Sequence, residues 1–299
     1  RLHSRDDTYV YITGSNARLL SGELATHLTG RYITIPLYPL SFDEYQRHHR
    51  AQGTTDSTDQ LFSRYMMFGG MPGLFVTGQP DQDRATEILT SIYESIVLKD
   101  VAGRYGIRDI ATLEKLSRYL FSTSGNLFSV NNVANTLASA GANASYATVD
   151  NQISALERSF IVYSAQQERM RGKELLRPQR KFYPVDNGFR NLATGFNGSD
   201  RGAQLEGIVF MELQRRGYDV TIGSLPDGEI DFIAKRGNDK QYIQVTLNMT
   251  EEQTRERELA PLRRLGDAFP RTVLTLDWHS EGMTDEGIHI TNVMDWLCS

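Results

Sequence analysis

Six cations crowd into thirteen residues of this chain: Arg169, Arg171, Lys173, Arg177, Arg180 and Lys181, with Glu174 the one acid among them. Clustered guanidinium and ammonium groups neutralise phosphates and release counterions, so the segment is a candidate for nucleic-acid contact. The enrichment is local. Residues 106–195 hold 11 Lys+Arg against 7 Asp+Glu, whereas the whole chain carries a net charge of −5. A general basic coat is excluded, and any polyanion site must be a patch. The plainer alternative is a solvated charged loop.

Other chemistry is sparse. His3, His27, His48, His49, His279 and His289 are scattered, and the adjacent pair His48-His49 cannot share a helix face, so no zinc site is expected. No G-x-S-x-G or Cys–His pattern supports nucleophilic catalysis. The single cysteine, Cys298, rules out an internal disulfide and fits a reducing cytoplasm. No G-x-x-x-x-G-K-[ST] occurs, and Gly172-Lys173 is followed by Glu174. This chain alone is therefore expected neither to bind ATP tightly nor to hydrolyse it.

The elements that must position these residues read as an α/β multidomain chain. Its 299 residues, 39% hydrophobic and 23% charged, suit a soluble protein of two or three modest units. No apolar run is long enough to span a bilayer, so a cytoplasmic protein without a membrane partner is expected. The chain opens on Arg1 just before a strand signal, as a piece of a longer protein would. Residues 9–13 and 32–37 read as strands flanking a helix over 17–28, and Ser41-Phe42-Asp43-Glu44 reads as a helix start. Residues 61–68 and 83–105 are helical, the latter long and amphipathic. Helices over 111–121, 129–137 and 145–160 precede two paired strands, 161–163 and 181–185. That is the winged-helix order, with the helix from Ser145 in the recognition position. Tyr146, Thr148, Asn151 and Gln152 on that helix are candidates to reach base edges. After 195–199, which is linker-like, come a helix over 204–216, a strand over 219–223, a hairpin of 229–234 and 242–247, a charged helix over 251–269, strands over 272–277 and 288–290, and a terminal helix over 293–297.

Three ordered sets of residues carry a family resemblance. The first is Tyr-Ile-Thr-Gly-Ser-Asn at 11–16, Leu-Thr-Gly-Arg at 28–31 and Pro-Leu-Ser-Phe-Asp-Glu-Tyr at 39–45. The second is Gly-Gly-Met-Pro at 69–72 with Leu-Lys-Asp-Val-Ala-Gly-Arg-Tyr-Gly-Ile-Arg-Asp at 98–109. The third is Lys-Phe-Tyr-Pro-Val-Asp-Asn-Gly-Phe at 181–189, Glu206, and Gly-Glu-Ile-Asp-Phe-Ile-Ala at 228–234. Together they resemble the prokaryotic AAA-type ATPases with a C-terminal domain of unknown function, similar to a winged helix followed by a PD-(D/E)XK nuclease-like fold. The resemblance spans nearly the whole chain. It implies a remnant of the P-loop ATPase core at 1–45, a helical lid at 46–109, a winged helix at 110–195 and a nuclease-like α/β domain at 200–299.

The resemblance also implies roles. Ser15 and Asn16 match a nucleotide sensor at a strand tip, where a hydroxyl or amide detects a phosphate. Arg31 matches a finger toward a neighbouring subunit's nucleotide, or is simply a cation at a helix C-terminus. ATP and Mg²⁺ would belong to the intact protein, with none expected for this chain alone. Glu206 and Asp231 match the first two acids of the nuclease pattern, which hold Mg²⁺. The third position, Glu-x-Lys in such nucleases, is Gln244-Val245-Thr246 here, so a retained fold with little or no cleavage is expected. A purely structural role for Glu206 and Asp231 stays open. Three functions follow: a DNA-associated module of the ATPase, an Mg²⁺-dependent nuclease with an altered site, or a protein-interaction module for self-association or contact with ATPase-core subunits.

Overall fold

The computed structural model describes residues 11–14, 33–76, 78, 80–142, 144–168, 179–196, 200–225 and 228–299. Ser41 opens helix α1 (Phe42–Ala51) with a reciprocal capping box: its hydroxyl accepts the Glu44 N–H while the Glu44 carboxylate accepts the Ser41 N–H. Ser57 and Gln60 repeat the device for α2 (Thr58–Phe68). Helix α3 (Gln82–Ser95) runs into wide π turns at Ile96–Gly103, so the long helix expected over 83–105 changes its winding at Ile96. Helices α4 (Ile110–Ser122), α5 (Val130–Ser139) and α6 (Tyr146–Arg158) follow, capped by Asp109, Ser129 and Ser145. Strand β1 (Leu127–Phe128) lies between α4 and α5, and β2 (Val162–Glu168) pairs antiparallel with β3 (Arg180–Pro184).

Helix α7 (Asn187–Thr194) comes next, then α8 (Arg201–Arg215), β4 (Asp219–Leu225), β5 (Gly228–Arg236), β6 (Asp239–Thr246), α9 (Glu252–Arg263), β7 (Arg271–Thr275), β8 (Gly282–Met283), β9 (His289–Asn292) and α10 (Val293–Leu297). Among the described residues nine strands form one sheet in the order β1-β3-β2-β4-β5-β6-β7-β9-β8. The join is the parallel pairing of β2 with β4, from Gln166 opposite Thr221 to Glu168 opposite Gly223. The hairpin after the three helices is thereby continuous with the C-terminal sheet.

Helix α8 is the hub. Leu205, Val209, Phe210 and Leu213 on it are fully buried, and their core takes in residues of α1, α2, α10 and strands β2 to β7. Phe210 stacks on Tyr183 of β3 at 4.2 Å between ring centroids and meets Phe232 of β5 at 5.9 Å. A second core gathers α3 to α7 around Leu113, Leu116, Ile153 and Phe189.

Several expectations change. Residues 33–38 carry no strand, and Ile33, Ile35 and Leu37 are 86%, 67% and 90% exposed. An alternating apolar segment becomes a strand only when a neighbour takes its backbone groups, and no described residue does so. Residues 11–14 likewise carry no strand and are exposed. The 17–28 helix, with Ser15, Asn16 and Arg31, lies outside the described residues. The charged helix expected to reach Phe269 stops at Arg263, ahead of Gly266 and Pro270. Helix α7 and the short strands β1 and β8 were not foreseen.

Phe210→Ala is expected to cost about 3–5 kcal/mol, the usual price of emptying a ring-sized core site. Urea unfolding of the two proteins measures it.

Candidate functional site

Where β5 meets β6 the regular ladder ends at Phe232 opposite Ile243. One residue further, side chains take over from backbone. The Val245 N–H donates to Asp231 Oδ2 at 2.8 Å, and the Asp231 N–H donates to Gln244 Oε1 at 3.2 Å. Gln244 Nε2 in turn reaches the Glu229 carbonyl at 3.5 Å. Two of the sequence-predicted positions, Asp231 and Gln244, are thus brought together to close a splayed pair of strands.

Glu206 enters the same site from α8. Its Oε1 accepts from Tyr183 Oη at 2.7 Å and from Lys181 Nζ at 3.2 Å. Lys181 also pairs with Glu229 Oε1. Glycine is required opposite: a methyl group at Gly125, which has φ 81°, would stand 3.1 Å from Glu206 Oε2. The site therefore holds Glu206, Glu229 and Asp231 around one ammonium whose side chain is 5% exposed.

The electrostatics follow from burial. Desolvation raises the Glu206 carboxyl, and Lys181 and Tyr183 oppose the rise. Desolvation also lifts Asp231 well above the ordinary carboxylate range, the Glu206 charge adds to it, and Lys181 and the Val245 N–H pull back. Burial would lower Lys181, but Glu206, Asp231 and Glu229 reverse that and hold it above its usual value. The sequence places Lys181 at the end of the basic stretch and at the start of the second hairpin strand, and does not link it to Glu206. Its signal in the sequence is the strand alternation 180–184, which turns one of every two neighbouring residues to the α8 side.

This donor set does not fit a divalent metal. The amide of Gln244 brings no charge and is committed to the Asp231 and Glu229 backbone, and the Lys181 ammonium lies among the carboxylates. Among the described residues no group of three His, Cys, Asp or Glu side chains is arranged to hold a metal ion.

The other expected positions are spread out. On α6, Tyr146 and Asn151 face solvent and Thr148 is half-buried, its hydroxyl against the capping Ser145. Gln152 is a correction: at 3% exposure it points into the helical core with Val149 and Ile153, so it cannot meet a base edge. It lies one residue beyond Asn151, a rotation of about 100° around the helix. Arg169, Arg171, Lys173 and Arg177 lie outside the described residues. Arg180 turns inward, its guanidinium 3.2 Å from Glu157 and 3.7 Å from Asp150 of α6.

A second polar knot was missed. Asp186 caps α7 through the Gly188 N–H at 2.8 Å and accepts the Gly70 N–H at 2.7 Å. A methyl group at Gly69, where φ is 78°, would fall 1.7 Å from Asp186 Oδ1. Asn191 completes the knot by donating to the Met66 and Met67 carbonyls at the end of α2. The Gly-Gly-Met-Pro and Pro-Val-Asp-Asn-Gly motifs thus meet each other.

The chain is 38% identical over 291 residues to an uncharacterised protein of Haemophilus influenzae, covering 97% of this chain and 71% of that protein. It belongs to that protein's family. A second member, an uncharacterised protein of Methanocaldococcus jannaschii, is 28% identical over 261 residues, 84% of this chain and 57% of that protein. Residues 59–200 match the model of a domain of unknown function (DUF8612), and residues 1–46 match the AAA domain model, which associates the family with AAA-type proteins. No solved structure matches. Among the described residues no helix is long and apolar enough to cross a membrane.

Burial raises the Asp186 carboxyl to about 6, with the Gly70 and Gly188 N–H groups and Arg215 opposing. The unfolded chain releases this proton near pH 4, the folded chain only near pH 6, so between those values the folded state binds more protons. Stability is therefore expected to fall by about 3 kcal/mol as pH rises through that window. Chemical denaturation at pH 4 and pH 6.5 measures the loss, and Asp186→Asn should flatten it.

Proposed function

We propose that this chain is the C-terminal portion of an AAA-type ATP-binding protein that associates with DNA, and that its nuclease-like α/β unit does not cleave. The observation that carries the proposal is the Lys181 ammonium set between Glu206 and Glu229 beside Asp231. A nuclease of the two-carboxylate kind needs those oxygens free to bind Mg²⁺ and activate water. Here they neutralise a lysine of the protein itself, and the third ligand position is an amide tied to backbone.

The four-part organisation goes with this proposal: core remnant at 1–45, lid at 46–109, winged helix at 110–195 and nuclease-like unit at 200–299. Support comes from the AAA domain match at 1–46 and from the order α4, β1, α5, α6, β2, β3, which is that of a winged helix. DNA contact would fall to Tyr146, Thr148 and Asn151 of α6 and to Arg169, Arg171, Lys173 and Arg177. ATP and Mg²⁺ would be bound by the intact protein, with Ser15 and Asn16 as sensor and Arg31 as finger. The exposed side chains of Ile33, Ile35 and Leu37 favour a further protein contact, to ATPase-core subunits or a second copy.

Anisotropy with labelled duplex DNA across a salt series, with and without Mg²⁺, tests the proposal. Binding should weaken as salt rises and leave the DNA unnicked. Arg171→Ala with Lys173→Ala should make the log–log salt slope shallower by about two. Mg²⁺-dependent cutting abolished by Asp231→Ala would show that the pocket is a working nuclease. No binding at low salt would shift the function to protein assembly.

A further inference from the structure

Helix α6 is longer than a DNA groove is wide. Its thirteen residues, Tyr146–Arg158, run about 20 Å. A major groove is about 12 Å across. With α6 in the groove, its ends overreach and meet the sugar–phosphate walls. The outward stripe consists of Ala147, Asn151 and Arg158, four and seven residues apart and all exposed, with Ser154 half-buried among them. The first part of that stripe brings no cation, because no residue from Tyr119 to Val149 is charged. Along α6, phosphate contact therefore falls to the Arg158 end.

At that end α6 is fastened to the wide π turns at Ile96–Gly103. The Ser159 hydroxyl donates to the Asp100 carbonyl at 3.1 Å. Val97 and Val101 of these turns are buried, while Lys99 between them is exposed. Lys99 and Arg158 thus each stand one residue from the same hydrogen bond. The acids beside them are already answered, Asp100 by Arg104 at 3.1 Å and Glu157 by Arg180 at 3.2 Å. Among the described residues neither Lys99 nor Arg158 makes an ion pair. On a chain of net charge −5 they form a local positive spot.

We propose that Lys99 and Arg158 are a phosphate clamp that holds the DNA strand bordering the groove at the C-terminal end of α6. This deepens, and rests on, the DNA-associated function proposed above. A lone cation at a helix C-terminus is explained by the helix dipole, and Arg158 by itself would need no more than that. The dipole does not explain Lys99, which a different element brings to the same point with no acid left to meet it. Two cations on a rigid joint between helices suit a fixed pair of phosphates, which position a protein on the duplex without reading its sequence.

Labelled duplex DNA is titrated with the 299-residue chain across a salt series, with circular dichroism to verify folding. Lys99→Ala with Arg158→Ala should weaken binding by about ten-fold and make the log–log salt slope shallower by about two. Lys99→Ala alone should make it shallower by about one, should the double variant not fold. Arg50→Ala with Arg255→Ala removes the same charge from α1 and α9, and should leave the slope unchanged. An equal loss in both double variants would mean that net charge alone is felt, and overturns the clamp. Wild-type affinity and slope in the Lys99 and Arg158 double variant overturn it too, and leave the DNA-associated function standing. If the wild-type chain binds no DNA at low salt, that function and the clamp fail together.

Discussion

An ammonium group cannot remain inside a protein without oxygen around it, and Lys181 is the place where this fold meets that constraint. Its side chain reaches the carboxylates of Glu206 on α8 and Glu229 on β5 from a strand that belongs, in sequence, to the preceding hairpin. Removing Lys181 would leave buried carboxylates without their cation, beside a Tyr183 ring that stacks on Phe210. The pairing adds to a join made by the parallel strand contact of Gln166 to Glu168 against Thr221 to Gly223 and by the shared core around Tyr183 and Phe210. Hydrophobic contact supplies most of the attraction between β3 and α8, because it scales with the apolar area removed from water. The ion pairs supply the registration, since a charged hydrogen bond tolerates little displacement.

The second joint works through a missing side chain. Gly69, Gly70 and Gly188 let backbone approach the buried Asp186 closely enough for two N–H groups to reach its oxygens. Any Cβ at Gly69 would collide with the carboxylate. This joint links α2 to α7, and through α7 to the helical core around Phe121 and Phe189. It sits next to Pro184, three residues from Lys181, so the two polar knots flank the same strand.

Much of the fold was legible because its local signals are strong. Ser41, Ser57, Asp81, Asp109, Ser129 and Ser145 each cap a helix, and each capping residue type is visible in the chain. The turn at 237–238 between β5 and β6 is readable from Gly237-Asn238. The failures have physical causes too. Residues 32–37 alternate as a strand, but alternation states only a preference and a strand also needs a partner for its backbone. Gln152 looked outward because polar residues usually are, yet the helix turns it toward Ile153 and Leu156. Helix α7 was overlooked because its eight residues begin at Asn-Gly, a pair that more often marks a turn.

By itself the sequence determined most helix starts, much of the order of elements and the local concentration of positive charge. These depend on neighbours within a few residues, where capping, periodicity and composition act. Only the tertiary structure decided that Lys181 belongs to the carboxylate pocket, that Asp186 binds the Gly69-Gly70 turn, and that β2 pairs with β4 to make one sheet. Those contacts join residues 25 to 116 positions apart. Distances of that kind are set by how apolar faces pack, which no local spacing encodes.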